Sequence, residues 1–182
     1  ELLALVRKAA SYPLVPYSNR IAQGRFAWQG RPYQLALNFD DSPHPLHGVG
    51  WQSRWNVEAR QGPRGPAEVA LTLEHRADDG WPFDFSARQL FQLGPTSLRC
   101  ELSVTNTDQR AAPVGLGWHP FFPRRTRSRL HVECGGRWEL DALKLPTQLV
   151  PQPGVDADVA HLAYDHCFEG WSGPARIRDE RF

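Results

Sequence analysis

The feature that most restricts the fold of this chain is a regular alternation of apolar and polar residues. Ala67 to Glu74, Phe83 to Leu93 and Leu98 to Thr105 each carry an apolar side chain at almost every second position. Successive side chains of a strand point to opposite faces of a sheet, so the pattern predicts three strands with one buried face. The positions predicted to point inward include Ala67, Val69, Leu71, Leu73, Leu98, Cys100, Leu102 and Val104.

The rest of the pattern also favours strands. Gly24 to Leu37 is typical of a hairpin, because alternating residues flank the tight-turn pair Gln29-Gly30. The apolar positions from Trp51 to Ala59 indicate another strand. Only Glu1 to Ala10 is compatible with a helical turn or two, while 16 prolines and 15 glycines interrupt the 182 residues. The sequence therefore predicts an all-β fold, an antiparallel β-sandwich formed by one domain over residues 1–182.

Charge balance and cysteine count limit the class of protein. Lys and Arg number 21 and Asp and Glu 20, so the net charge is +1 and a nucleic-acid partner is not expected. No apolar run reaches the roughly 18 residues that a membrane span needs, so no membrane partner is expected either. Three widely spaced cysteines argue against a disulfide framework, which favours a cytoplasmic location. One basic cluster is interpreted as a solvated loop: Arg124, Arg125, Arg127 and Arg129.

Two further expectations concern the chain ends and the loops. The chain begins with Glu1 and contains no methionine, which predicts a processed or partial form of a longer protein. Gln61 to Pro66 and Pro151 to Asp158 are rich in turn residues and are expected to be loops too short for domain linkers.

The first segment that breaks the strand pattern runs from Pro13 to Phe26 and contains Asn19 and Arg20. Arg20 offers five donors in a fixed plane, and Asn19 offers donors and an acceptor, a combination that suits recognition of several sugar hydroxyls. The alternative is a turn capped by Asn19 with Arg20 on the surface.

The second segment runs from His44 to Trp55. Gly48 and Gly50 follow two histidines spaced three apart, which favours a loop that presents His47. His-x-x-His spacing also occurs in metal sites, but no acidic or thiol partner stands at a matching distance, so no metal is expected. A loop histidine bonded to the backbone remains the alternative.

Two later segments carry the other candidates. In Gly115 to Arg124, His119 stands among aromatic residues and prolines. Loss of solvent there would favour a neutral imidazole, which suits acid–base chemistry. A structural histidine is the alternative. In Asp165 to Trp171, Asp165 is a candidate hydroxyl acceptor, with an ordinary turn carboxylate as the alternative.

Together these four segments resemble, in content, order and approximate spacing, the aldose 1-epimerase family, also called galactose mutarotases. SNRIAQGRF is similar to the Asn-Arg-Ile segment of that family, HPLHGVGW to its Leu-His-Gly segment, GWHPFF to its second-histidine segment and DHCF to its sugar-binding Asp segment. The resemblance spans residues 13 to 171 and implies a large antiparallel β-sandwich with an open groove.

The resemblance also implies a reaction and a set of roles. Asn19 and Arg20 would bind sugar hydroxyls, His47 and His119 would line the anomeric centre, and Asp165 would hold a hydroxyl on the far side of the ring. A base removes the anomeric hydroxyl proton of a free aldose while an acid protonates the ring oxygen, so the ring opens and recloses as either anomer. His119 is the implied acid and His47 the implied hydrogen-bonding assistant, no cofactor is expected, and the oligomeric state stays open.

The chain departs from the family at the general base. That base is a glutamate on a late strand, and neither Glu169 nor Glu180, the glutamates after Asp165, stands in a similar segment. A noncatalytic carbohydrate-binding protein is therefore an alternative, distinguished by the lack of a carboxylate near the two histidines. A hexose-6-phosphate 1-epimerase is another, and it would need basic groups at one end of the groove, for which the candidates are Arg54 with Arg124 or Arg125.

Overall fold

The computed structural model of the chain describes residues 10–61, 67–179 and 181. Nearly all of the stretch Glu1 to Ala10, where a helical turn is expected, lies outside the described residues, as do residues 62–66 of the expected loop from Gln61 to Pro66. No helix within the described ranges is long and apolar enough to cross a membrane.

Strands make up almost all of the regular structure. The helical elements among the described residues are two 3₁₀ turns, Ala22–Gly24 and Val159–His161. Every ladder between two named strands is antiparallel, which confirms the predicted all-β, antiparallel fold class. The strands are β1 Ser11–Leu14, β2 Arg25–Trp28, β3 Arg31–Gln34, β4 Asn56–Gln61, β5 Ala67–His75, β6 Phe85–Leu93, β7 Leu98–Asn106, β8 Gly117–Pro120, β9 Arg129–Glu133, β10 Gly136–Leu140, β11 Pro146–Pro151, β12 Gly154–Asp158, β13 Phe168–Glu169 and β14 Ser172–Arg178.

The chain divides into two compact units, Glu1–Pro120 and Phe121–Phe182. The first unit contains β1 to β8, and the second contains β9 to β14. A single domain over residues 1–182 therefore stays a prediction.

A four-stranded sheet in the order β4-β5-β6-β7 forms the largest element of the first unit. Three of its strands are those predicted from alternation, and Phe83, Phe85 and Ala87 are all nearly inaccessible to solvent, as a period of two requires. These side chains join Leu73 and Trp81 in one apolar cluster. Removal of this apolar surface from water is the main force that holds the unit together.

The predicted inward face is wrong at three positions. Ala67, Leu98 and Cys100 are exposed, although each lies in the strand predicted for it. Alternation shows that one face of a strand is apolar but not how far along that face the core extends. On β7 the covered part begins at Leu102.

The strand predicted from Trp51 to Ala59 begins later than expected, at Asn56. Trp51 instead lies in a turn, where its indole N–H donates to the carbonyl oxygens of Leu46 and Gly48 at 3.0 and 3.1 Å. Trp51 is buried although it does not lie in a strand. The prediction that it belongs to a strand is therefore wrong.

The hairpin predicted from Gly24 to Leu37 is confirmed as β2 and β3. Gln29 and Gly30 have φ values of 48° and 75°, the two consecutive left-handed residues that a tight hairpin turn with this twist requires. Phe26 and Tyr33 are cross-strand partners and stack with ring centroids 5.1 Å apart.

A short two-stranded ladder carries part of the candidate site. In β1 and β8 the residues Tyr12 and His119 stand directly opposite each other. Tyr12 and Leu14 lie on the same face of β1 and join Trp51 in a second buried cluster. Through Tyr12, this cluster contacts the strand that carries His119.

In the second unit, strands pair as β11-β10-β13 and β12-β9-β14. The prediction of a loop from Pro151 to Asp158 is wrong, because Gly154–Asp158 forms β12 and pairs with β9 over its whole length. Apolar side chains from these strands and from Tyr164 surround a cavity of about 290 Å³.

Three residues of the basic cluster, Arg124, Arg125 and Arg127, lie in the loop after β8 as predicted, whereas Arg129 begins β9. Arg124 donates to the carbonyl oxygens of Ala160 and Leu162, at 3.0 and 2.8 Å. Arg125 pairs with Asp179, and Arg129 pairs with Asp156. Because these guanidinium groups are engaged by protein acceptors, they do not form an open basic patch.

Candidate active site

Two loops of the first unit pair side by side and bring the first two candidate segments together. The backbone N–H of His47 donates to the carbonyl oxygen of Asn19 at 2.9 Å, and that of Ile21 donates to Pro45 at 3.2 Å. Between these bonds, Arg20 and Leu46 form an antiparallel bridge. The Asn-Arg pair and the second histidine of the His-x-x-His motif are therefore neighbours by backbone pairing.

The imidazole of His47 is fixed by the same pairing. The backbone N–H of Asn19 donates to His47 Nδ1 at 3.0 Å. Since Nδ1 accepts a hydrogen bond, the neutral ring carries its proton on Nε2, which is then a donor. His47 has φ of 63°, a left-handed conformation that the surrounding bonds impose on a residue other than glycine.

The electrostatic surroundings keep His47 neutral. Burial, followed by the nearby His119 and the positive charge of Arg20, lowers the pKa of His47 from 6.5 to about 4. At neutral pH the ring is therefore a hydrogen-bond donor through Nε2 and not a source of acid protons.

His119 lies on β8 and faces His47 edge-on. The two ring centroids are 5.4 Å apart with an interplanar angle of 76°. Tyr12 stacks on His119, with ring centroids 4.8 Å apart. The aromatic ring of Tyr12 thus fixes the plane of the second imidazole, while Trp51 contacts both Tyr12 and His47.

Arg20 retains a buried donor that no described residue accepts. Its Nη1 donates to Asn19 Oδ1 at 3.2 Å, and its Nε is buried with no hydrogen-bond partner among the described residues. A buried donor without a partner is unfavourable, and a ligand oxygen would satisfy it. The geometry suits the binding of a polar ligand next to the two imidazoles.

The first histidine of the His-x-x-His motif has a different role. His44 is 1% exposed, and its Nδ1 accepts the backbone N–H of Gln23 at 2.9 Å. It therefore joins the two loops at one end as His47 does at the other. The described residues contain no group of three or more His, Cys, Asp or Glu side chains that could hold a metal ion.

Asp165 belongs to the second unit. Its side chain is 76% exposed and lies 3.2 Å from Lys144 Nζ. In the same unit, Glu169 Oε2 accepts the indole N–H of Trp138 at 2.9 Å. Within the described part of the chain, the partners of His47 include no carboxylate.

Three residues near the histidines were not found from the sequence. Tyr12 and Trp51 look like ordinary core aromatics, and only the pairing of β1 with β8 brings Tyr12 against His119. Asn38 donates to the carbonyl oxygens of Leu46 and Gly48, on either side of His47. The sequence shows only that Asn38 lies between the hairpin and the loop of His47. That position does not distinguish an asparagine that binds the loop backbone from an ordinary turn residue.

Comparison with known proteins assigns the family. Residues 3–181 match the family described as aldose 1-epimerase. The chain belongs to the aldose 1-epimerase family. The resemblance found in the four sequence segments is thereby confirmed.

Individual relatives agree with this family. The uncharacterized Escherichia coli K12 protein YphB is 34% identical over 175 residues, which cover 93% of this chain and 58% of YphB. The crystal structure of a candidate aldose 1-epimerase from Escherichia coli K12 matches with a TM-score of 0.87 and 32% identity, covering 97% of this chain and 60% of the other.

The fold also occurs in a more distant protein. The galactose 1-epimerase of Lactobacillus acidophilus matches with a TM-score of 0.71 at 15% identity, over 92% of this chain and 57% of that protein. This likeness confirms the galactose mutarotase-like β-fold and no more. The chain thus spans about 58% of the length of YphB, and similar shares of the two solved structures.

Proposed function

We propose that the protein is an aldose 1-epimerase that interconverts the α and β anomers of a free aldose by acid–base ring opening. The observation that carries this proposal is the pair of imidazoles of His47 and His119, with ring centroids 5.4 Å apart. Two groups at this spacing can serve the two oxygens of one anomeric carbon. Membership of the aldose 1-epimerase family supports the same reaction.

In this mechanism His47 is a hydrogen-bond donor. Because its pKa is about 4, roughly one molecule in a thousand carries the extra proton at pH 7. Its Nε2–H instead donates to an oxygen of the anomeric centre and stabilises the negative charge that develops there.

His119 then supplies the acid. A base takes the anomeric hydroxyl proton, the electron pair left on that oxygen forms the carbonyl, the bond from the anomeric carbon to the ring oxygen breaks, and His119 protonates the ring oxygen. The open-chain aldehyde rotates and the steps reverse on its other face. General acid–base catalysis of this kind contributes about 10² to 10⁴ in rate.

The sugar is oriented by the polar groups beside the imidazoles. Arg20 and Asn19 bind hydroxyls through the guanidinium and the side-chain amide, since Arg20 Nε is a buried donor with no protein partner among the described residues. The resemblance also assigns a sugar hydroxyl to Asp165, and that role stays a prediction. A free aldose as the small-molecule partner and a cytoplasmic location belong to the same proposal.

Two alternatives remain for the experiment to separate. A carbohydrate-binding protein without turnover is favoured by one observation, that the described partners of His47 include no carboxylate to serve as base. A hexose-6-phosphate epimerase is less well supported, because Arg124 donates to two backbone carbonyls and Arg125 pairs with Asp179.

Polarimetry tests the proposal directly. Freshly dissolved α-glucose and α-galactose are followed with and without the protein. We expect faster equilibration with the protein. If the protein does not accelerate the change while sugar binding is measurable by calorimetry, the binding protein is the correct assignment.

A further inference from the structure

We propose that Asn38 is a positioning residue that holds His47 in its working orientation through the backbone on either side of it. This inference rests on the proposed function, because a positioning role requires that His47 acts on a sugar. Asn38 lies beyond the β2–β3 hairpin and does not belong to the four segments that resemble the family.

The side chain of Asn38 holds the His47 loop with three hydrogen bonds. Its Nδ2 donates to the carbonyl oxygens of Leu46 and Gly48, at 2.9 Å each. Its Oδ1 accepts the backbone N–H of Leu46 at 2.8 Å. One amide group therefore joins the residue before His47 to the residue after it.

The backbone held in this way is one that would not be adopted without support. His47 and Gly48 have φ values of 63° and 70°, so two consecutive residues are left-handed. For a residue with a Cβ atom this region is sterically unfavourable. Such a conformation persists only where the surroundings impose it.

The consequence for the imidazole follows from the geometry of the loop. In this conformation the His47 N–H reaches the Asn19 carbonyl at 2.9 Å and His47 Nδ1 receives the Asn19 N–H at 3.0 Å. Both bonds depend on the position of the loop. Loss of the Asn38 amide would let the loop relax, and the ring would lose the bond that fixes its Nε2–H donor.

Other groups support the same loop, so the effect of Asn38 is graded. Trp51 Nε1 donates to the same two carbonyl oxygens, and the backbone of Gly48 bonds to the hydroxyl of Tyr17. These contacts keep the loop folded when Asn38 is replaced, which makes a change in the orientation of His47 measurable without unfolding.

The test compares Asn38→Ala with Asn106→Ala. Asn106 is the matched control, because its Nδ2 donates to the carbonyl of Arg110 and its Oδ1 accepts the N–H of Asp108, a similar clamp on a turn after β7. Each variant is made in the same protein. Imidazole signals are followed by ¹H–¹⁵N NMR as a function of pH, and mutarotation kinetics are measured in parallel.

We expect the His47 titration to move only in Asn38→Ala. The groups that face His47 are His119 on β8, Arg20 in the paired loop and the ring of Tyr12 on β1. A relaxed loop admits water and moves the ring away from these charges, so the pKa of His47 rises from about 4 toward 6.5. The turnover number falls about tenfold or more, while KM changes less, because the groups that bind the hydroxyls remain.

Each outcome decides one point. If His47 still titrates near 4 in Asn38→Ala, Asn38 does not hold the ring and the inference is wrong. If the titration moves but the unsubstituted protein does not accelerate mutarotation, the proposed function fails while the contact between Asn38 and the His47 loop stands. Should Asn38→Ala fail to fold, Asn38→Ser, which keeps a short polar group, gives the same comparison.

Discussion

The loop that carries His47 and the segment that carries Asp165 resemble the family equally well but are held very differently. His47 is fixed by Asn19 on one side and by the Asn38 clamp on both flanks. Asp165 is 76% exposed and pairs with Lys144, a surface ion pair that contributes roughly 0–1 kcal/mol. Sequence similarity alone therefore does not distinguish the two segments. Only the side chain of His47 is held in one orientation by hydrogen bonds within the protein.

The largest effect is expected at the centre of the organised region. His119→Gln removes the proposed acid, so the mutarotation rate should fall about 10²- to 10⁴-fold. Polarimetry measures it, with His161→Gln as the control, because His161 is an exposed histidine of the second unit. An unchanged rate in His119→Gln would exclude the acid role.

The second prediction compares two left-handed glycines, one in the His47 loop and one in β14 of the unit that contains Asp165. An alanine Cβ at Gly48 would clash with the carbonyl oxygen of Val15, whereas at Gly173 it would meet nothing within 4 Å. Both substitutions carry the left-handed backbone penalty of about 1–2 kcal/mol. Gly48→Ala adds the clash, for a total of about 2–5 kcal/mol.

Urea unfolding of the two variants measures this difference. Equal losses of stability would mean that the His47 loop is no more tightly packed than β14, and the contrast between the two regions would disappear.

The third prediction concerns sugar binding. Arg20→Ala removes a partly buried charged donor and should raise KM about 10- to 100-fold. Asp165→Asn removes the charge of an exposed carboxylate and should raise KM about threefold or less, because water already solvates that group. Initial-rate kinetics with galactose compare the two, and a larger effect at Asp165 would reverse the ranking of the two regions.

The fourth prediction is a change of stability with pH that depends on His47. The folded-state pKa is about 4 and the unfolded value is about 6.5, so the unfolded chain binds more protons between these values. The contribution of His47 is therefore present above about pH 6.5 and is lost as the pH falls toward 4. His47→Gln should flatten the curve of unfolding free energy in this window, whereas an unchanged slope would show that His47 is not kept neutral by the fold.

Much of the strand content could be predicted from the sequence, since alternation is local. The hairpin turn at Gln29-Gly30 and the buried positions of Phe83 and Phe85 follow directly from residue types. The limits of the core on β7 could not be predicted, because exposure of Leu98 depends on what covers the sheet. β12 was missed because its flanking prolines indicate a loop.

The candidate site was predictable as a set of residues but not as an arrangement. Family segments identified Asn19, Arg20, His47 and His119, yet their contacts depend on pairing between segments far apart in the chain. Tyr12 stands opposite His119 only through the register of β1 and β8. No local pattern specifies that register, and none specifies the hydrogen bonds from Asn38 to Leu46 and Gly48.

The most direct test is whether one sugar reaches both imidazoles. Selective ¹⁵N labelling of histidine allows the His47 and His119 signals to be followed as galactose is added to the protein. Both signals should shift together with one dissociation constant, while those of His131 and His161 stay in place. Shifts in neither imidazole, or in only one, at sugar concentrations that saturate binding would contradict a shared site.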